Sequence, residues 1–188
     1  MLVDGQRSGR SARIISNIVA RKAISLLGEG VRDGAVARAA HDYLRTHRQG
    51  QVSAELQLLS IDLASRSLVI SRNSRCPALV LSPEGSWLFD DPSEPIGIRP
   101  STKPVIREVP LCAGTYVVIF TDGLLERPAG RVDPADLMGI VIAAAEERRS
   151  AQSLADALLE DALRTQDGRP CDDTSVLVAA VLPNAIPR

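Results

Sequence analysis

The run Thr115–Thr121 (TYVVIFT) constrains this chain more than any other stretch. It is uncharged, rich in β-branched and aromatic residues, and bounded by Ala113-Gly114 and Asp122-Gly123. Such a run is expected to be a strand buried on both faces, because its side chains leave no polar side for water. The rest of the chain must then supply covering layers.

Those layers are legible in the periodicity. The first residues read as the tail of a strand entering a glycine-punctuated turn, Asp4-Gly5-Gln6-Arg7-Ser8-Gly9. A helix follows, with Ile14, Ile15, Ile18, Val19, Ala23, Leu26 and Leu27 at helical spacing and Arg13, Asn17, Arg21 and Lys22 opposite; Gly28 and Gly30 stop it. A second helix, from about Asp33 to Arg48, puts Val36, Ala39, Ala40, Tyr43 and Leu44 on one stripe. His41 and His47 are expected at its surface. After Gly50 the period becomes strand-like over Val52–Leu63, Ser67–Arg72 and Ala78–Leu81, with turns at Ala64-Ser65-Arg66 and Pro83-Glu84-Gly85. Asp90–Pro104, with four prolines, is a loop, and Val105–Leu111 is a strand broken by Pro110. Helices at Pro134–Arg149 and Ser153–Thr165 lead to Asp172-Asp173-Thr174 and a last strand, Ser175–Leu182. Helices, then strands, then helices and a strand again point to α+β layers rather than a βαβ sheet. No repeat or interdomain linker interrupts 1–188, so a single domain is expected.

Composition narrows the function classes. The chain is 45% hydrophobic but only 3% aromatic, so its core is built from Val, Leu, Ile and Ala. A net charge of -1 and a pI near 6.1 give no field for nucleic acid or an anionic membrane. No apolar run reaches membrane-spanning length, and MLVDGQRSGR lacks the apolar core of a secretory signal. Cys76, Cys112 and Cys171 are odd in number and far apart, against both a disulfide framework and a thiolate metal site. Cys76, before Pro77, reads as a small buried apolar residue. A cytoplasmic protein is expected.

Three acidic segments share one pattern, an Asp where an apolar strand meets a tight turn: Val3-Asp4-Gly5, Thr121-Asp122-Gly123 and Cys171-Asp172-Asp173-Thr174. Carboxylates at strand ends are held by the sheet yet face solvent, which suits hard divalent cations. Glycine after the Asp permits close approach and leaves its carbonyl as an oxygen donor. Asp-Gly is also a common turn dipeptide, so each segment alone is equally well a turn. The adjacent Asp172 and Asp173 repel unless a cation, or Arg169, neutralises them.

In order along the chain, Asp4-Gly5-x-x-x-Gly9-x-x-Ala12, Phe120-Thr121-Asp122-Gly123-Leu124-Leu125-Glu126 and Asp172-Asp173-Thr174-Ser175-Val176-Leu177-Val178 resemble the metal-dependent protein phosphatase superfamily. The branch most resembled is the sporulation stage II protein E-like and stressosome-type phosphatases. Ser71–Leu81 looks like that branch's strand–turn–strand, Pro95-Ile96-Gly97-Ile98 like its Leu-Gly-containing loop, and Ala113-Gly114-Thr115 like its Gly-Asp turn. The resemblance implies a four-layer αββα sandwich of two mainly antiparallel sheets flanked by helices. It implies Mn²⁺ or Mg²⁺ as cofactor, with Asp4 bridging two ions, the Gly5 carbonyl on the second, and Asp122 and Asp172 completing the first. Asp173 and Gly123 would support the site. The implied reaction is hydrolysis of phosphoserine or phosphothreonine on a bacterial regulatory protein in signal transduction or stress response, by a metal-activated water.

Departures from the pattern set further expectations. The family's additional acidic ligand lies upstream of the Asp-Gly motif, where only three residues stand here; a weaker second metal site is expected, in a chain truncated at its N-terminus. The exposed sheet edge would favour a homodimer. Arg7 stands where glycine is usual, and reads either as a solvated loop arginine or as a phosphate contact. Arg75 and Cys76 replace a Gly-His pair and bear on loop shape. Two other functions stay open: a phosphatase-fold module that binds a phosphoprotein without efficient turnover, and a nucleotide- or phosphate-binding domain using the Asp4–Gly9 turn.

Overall fold

The computed structural model describes residues 1–128, 130–166 and 172–183. Within them the chain divides into two compact units, Met1–Arg75 with Asp91–Val109, and Cys76–Asp90 with Pro110 onward.

The first unit contains strands β1 (Leu2–Gly5), β2 (Ala54–Asp62), β3 (Ser67–Asn73) and helices α1 (Gly9–Gly28) and α2 (Asp33–His47). β2 is antiparallel to both β1 and β3, with Asp4 opposite Glu55 and Gln57 opposite Arg72. Ile15, Val19 and Ala23 of α1 and Val36, Ala37, Ala40 and Leu44 of α2 pack with Ala54, Leu56 and Leu58 of β2. One face of each helix is thereby removed from water, the usual basis of an amphipathic layer.

The proline-rich segment Asp91–Pro104 forms no named strand and is ordered by side chains. Ser93 Oγ donates to the Arg72 carbonyl at 2.8 Å, Asn73 Nδ2 to the Glu94 carbonyl at 3.1 Å and to Thr102 Oγ1 at 2.8 Å. Ile96 makes an antiparallel bridge with Ala54. These bonds replace a ladder that prolines cannot complete.

The second unit begins with β4 (Ala78–Ser82) and β5 (Gly85–Phe89). Strand β6 (Val105–Pro110) lies beside β3 and leads, across the boundary, to β7 (Thr115–Phe120). The sheet order here is β10-β7-β4-β5, where β10 is Val176–Val181. A short hairpin, β8 (Glu126–Arg127) and β9 (Gly130–Arg131), precedes α3 (Pro134–Glu146) and α4 (Ala151–Thr165). Every residue of β7 is buried, as its composition requires. Tyr116, Val118 and Phe120 join Leu137, Val141, Leu154 and Leu158 of the helices, while Val117 and Ile119 on the opposite face are equally buried. Each such side chain contributes roughly 1.5–3 kcal/mol relative to exposure.

Among the described residues the chain is therefore α+β, with two antiparallel sheets and four helices, as expected. Several local expectations need correction. His41 is buried, not at the surface: its Nδ1 accepts the Gly97 amide at 3.1 Å. The buried stripe of α2 runs through Ala37 and His41 rather than Ala39 and Tyr43. Tyr43 is exposed and stacks on His47, which is exposed as expected, with Lys22 Nζ 5.7 Å from the Tyr43 ring centroid. Ile14 is likewise exposed. Helix α4 starts at Ala151 rather than Ser153, because the Ser150 side chain caps it by accepting the Ser153 amide. Strand β5 and the β8–β9 hairpin had no counterpart in the periodicity. Cys76 is fully buried, as anticipated. Among the described residues no helix is long and apolar enough to cross a membrane.

Candidate metal centre

In the second unit, β7 delivers Thr121, and Asp122–Leu124 then turn as a short 3₁₀ segment closed by the Leu125 amide on the Asp122 carbonyl at 2.8 Å. The segment leading into β10 is tied to this turn at its start. The Thr121 amide donates to the Ser175 carbonyl at 3.0 Å, the Ser175 amide to Thr121 Oγ1 at 2.9 Å, and Thr121 Oγ1 to the Asp173 carbonyl at 3.0 Å. Asp172 is ordered locally: its Oδ1 accepts the Asp173 amide at 2.8 Å and its carbonyl accepts Thr174 Oγ1 at 3.0 Å. One Asp172 oxygen is thus directed by the backbone.

Gly123 explains why these segments approach so closely. A Cβ there would meet the Asp173 carbonyl oxygen and Thr174 Oγ1 at 2.7 Å and the Asp172 carbonyl oxygen at 3.0 Å. Its φ is not positive, so glycine is required by contact and not by a left-handed turn. Buried Gln166 also donates through Nε2 to the carbonyls of Gly123 at 3.1 Å and Glu126 at 2.7 Å. A cleft of about 270 Å³ opens beside this turn, lined by Leu159, Leu163, Gln166 and Asp172–Thr174. Asp122 is half-buried; Asp172 and Asp173 are exposed.

In the first unit, β1 ends in half-buried Asp4 and buried Gly5. Gly5 also has no positive φ, and a Cβ there would run into the Ala12 carbonyl oxygen of α1. The Gln6 amide donates to the Ser53 carbonyl at 2.9 Å, and the Ser53 amide returns a bond to Gln6 Oε1 at 3.0 Å. Arg7 is exposed with φ 73°, and Gly9, the first residue of α1, has φ 68°. A left-handed backbone at residue 7 is one that glycine adopts more readily than arginine.

Asp122, Asp172 and Asp173 thus occupy two loops stitched together within one unit, whereas Asp4 and Gly5 belong to the other. Among the described residues no group of three or more His, Cys, Asp and Glu side chains is placed to hold a metal ion. The available donors are carboxylate and carbonyl oxygens throughout, and the Gly123 cradle brings such oxygens together; this fits a hard cation such as Mg²⁺ or Mn²⁺. Arg169 and Cys171 lie outside the described residues. Sequence reading missed Thr121 and Gln166. For Thr121 the signal was a hydroxyl closing an otherwise apolar run; Gln166 has none outside the fold.

The family model for Stage II sporulation protein E (SpoIIE) matches residues 1–182. The stage II sporulation protein E of Bacillus subtilis (strain 168) is 24% identical over 178 residues, covering 95% of this chain and 21% of that protein. A solved structure of the PP2C phosphatase domain and a regulatory-domain fragment of B. subtilis SpoIIE superposes with a TM-score of 0.75 at 22% identity, covering 97% of this chain and 54% of that one. The catalytic domain of the serine/threonine protein phosphatase PstP, solved in complex with 2 manganese ions, superposes with a TM-score of 0.70 at 16% identity, covering 96% and 86%. The chain therefore spans about a fifth of its curated relative and about half of the SpoIIE structure, and it has the fold of PP2C phosphatase domains.

Proposed function

The chain belongs to the Stage II sporulation protein E family, and on that premise we propose that it is a Mn²⁺- or Mg²⁺-dependent protein phosphatase acting on phosphoserine or phosphothreonine of a bacterial regulatory protein. The observation that supports this best is the stitched pair of loops carrying Asp122 and Asp172 at the end of a fully buried strand. We take Asp4, Asp122 and Asp172 as metal ligands, with the Gly5 carbonyl beside Asp4 as a donor to a second, weaker ion. Bound cations supply the charge that lowers the pKa of water and offsets the phosphoryl oxygens. This chain's residues do the positioning: the 3₁₀ turn sets Asp122, the Asp173 amide orients the Asp172 carboxylate, and Gln166 holds the Gly123 carbonyl.

The same proposal takes 1–188 as one phosphatase domain in the cytoplasm, with neither nucleic acid nor membrane as partner. Strand β1 ends its sheet with only β2 as neighbour among the described strands, an edge on which a second copy can pair. The test is phosphate release from a phosphopeptide and from p-nitrophenyl phosphate, with and without Mn²⁺, beside Asp122→Ala. Mn²⁺-dependent release abolished by the substitution is expected. No release at high Mn²⁺ would instead favour a module that binds a phosphoprotein without turnover.

A further inference from the structure

We propose that Glu55 is a further metal ligand, so that the second cation is held by Asp4, the Gly5 carbonyl and Glu55. The proposal rests on the phosphatase reading, which puts a cation at Asp4 and Gly5.

Glu55 is the one charged residue between Ala54 and Ile61 of β2, flanked by Ala54 and Leu56, which are fully buried. It is half-buried, as Asp4 is. The register places it directly opposite Asp4, with Gly5 opposite Ala54. Residues so paired in antiparallel strands share a face, with Cβ atoms about 4.5–5.5 Å apart. Two carboxylates in that relation repel, and a divalent cation between them turns the repulsion into chelation. The added carboxylate gives this ion three protein oxygens, all of the hard type that Mg²⁺ and Mn²⁺ take.

The carboxylate is also oriented. Ser74 Oγ donates to Glu55 Oε2 at 2.6 Å, and Ser74 is fully buried. A buried hydroxyl holding one oxygen fixes the direction of the other, the arrangement by which outer hydrogen bonds prepare a ligand for its metal. Asp4, Glu55 and Ser74 all lie in the same compact unit.

The test is titration of the full chain with Mn²⁺, followed by calorimetry and by the electron paramagnetic resonance of free Mn²⁺. Glu55→Gln keeps the shape and the acceptor for Ser74 while removing the charge. It is expected to weaken one of two bound ions by about tenfold or more, since even outer partners of ligands are worth about 10–100-fold, and to leave the other near wild type. Wild-type affinity for every ion in Glu55→Gln overturns the proposal. Should that variant fail to fold, Ser74→Ala replaces it: weaker binding of the same single ion supports the proposal, and unchanged binding overturns it. Asp4→Asn and Asp122→Asn separate the two readings. If neither alters Mn²⁺ binding, the phosphatase reading falls and Glu55 with it; if both do and Glu55→Gln does not, only the role of Glu55 falls.

Discussion

Thr121 and Asp173 are joined by a hydrogen bond of 3.0 Å from the Thr121 hydroxyl to the Asp173 carbonyl, and the same hydroxyl oxygen accepts the Ser175 amide at 2.9 Å. A single buried side chain therefore registers the loop of Asp122 against the loop of Asp172. Thr121→Val preserves the shape and removes both bonds. It should cost about 1–3 kcal/mol in urea unfolding, because a buried donor or acceptor loses its partner, and Mn²⁺-dependent phosphate release should fall with it. Thr121→Ser retains the hydroxyl and is expected to keep most of both.

Gly123 and Gly139 make a matched pair of opposite sign. At Gly123 an added methyl meets three oxygens at 2.7–3.0 Å, so Gly123→Ala must push Asp172–Thr174 away and should destabilise by about 1–3 kcal/mol. Gly139 lies inside α3 with nothing within 4 Å of a Cβ. There, Gly139→Ala should stabilise by up to about 1 kcal/mol through helix propensity. Thermal or urea unfolding of the two variants checks both, and Mn²⁺ affinity should change only for Gly123→Ala.

What the sequence made legible follows from what periodicity can carry. The unbroken apolar, β-branched character and length of TYVVIFT announced β7, and the spacing of Ile15, Val19 and Ala23 announced α1; both depend only on local order. The three Asp segments were legible because each interrupts an apolar run at a strand end. Glu55 was not, since its meaning lies in a pairing register with Asp4 that a strand's own period of two does not specify. His41 was misplaced because a histidine at the border of a helical stripe is buried or exposed according to what covers it, here Gly97 and its loop. Of GSWLF, Gly85 reads as the end of a turn and residues 86–89 carry no period of their own, being too short and too polar at the start to stand out as β5.

His41 also makes stability depend on pH. Burial lowers its pKa from the ordinary 6.5, with Arg45 adding to the effect and with Asp42 and a backbone contact at Arg99 opposing it. The unfolded chain then binds the proton more readily than the folded one, so stability rises with pH through this window. His41 contributes in full above about pH 6.5, and the contribution is lost as pH falls towards the lowered folded value. Urea unfolding of the wild type should weaken between about pH 7.5 and 5.5, and His41→Gln, which cannot titrate, should weaken less. Parallel losses in the two proteins would show that the imidazole is not the group responsible.

Arg7 carries backbone strain that glycine would relieve. At φ 73° an L side chain costs roughly 1–2 kcal/mol, whereas glycine loses about 0.5–1 kcal/mol in chain entropy. Arg7→Gly should therefore raise stability by about 0.5–1 kcal/mol, and Arg7→Val, branched at Cβ, should lower it. The guanidinium is exposed, so a phosphate contact made there is worth at most about 1 kcal/mol, or about fivefold in kcat/KM, and shrinks with salt. Measuring kcat/KM of Arg7→Gly on a phosphopeptide at low and high salt distinguishes the two roles. A loss confined to low salt assigns Arg7 to the phosphate, and equal rates at both leave it a solvated loop arginine.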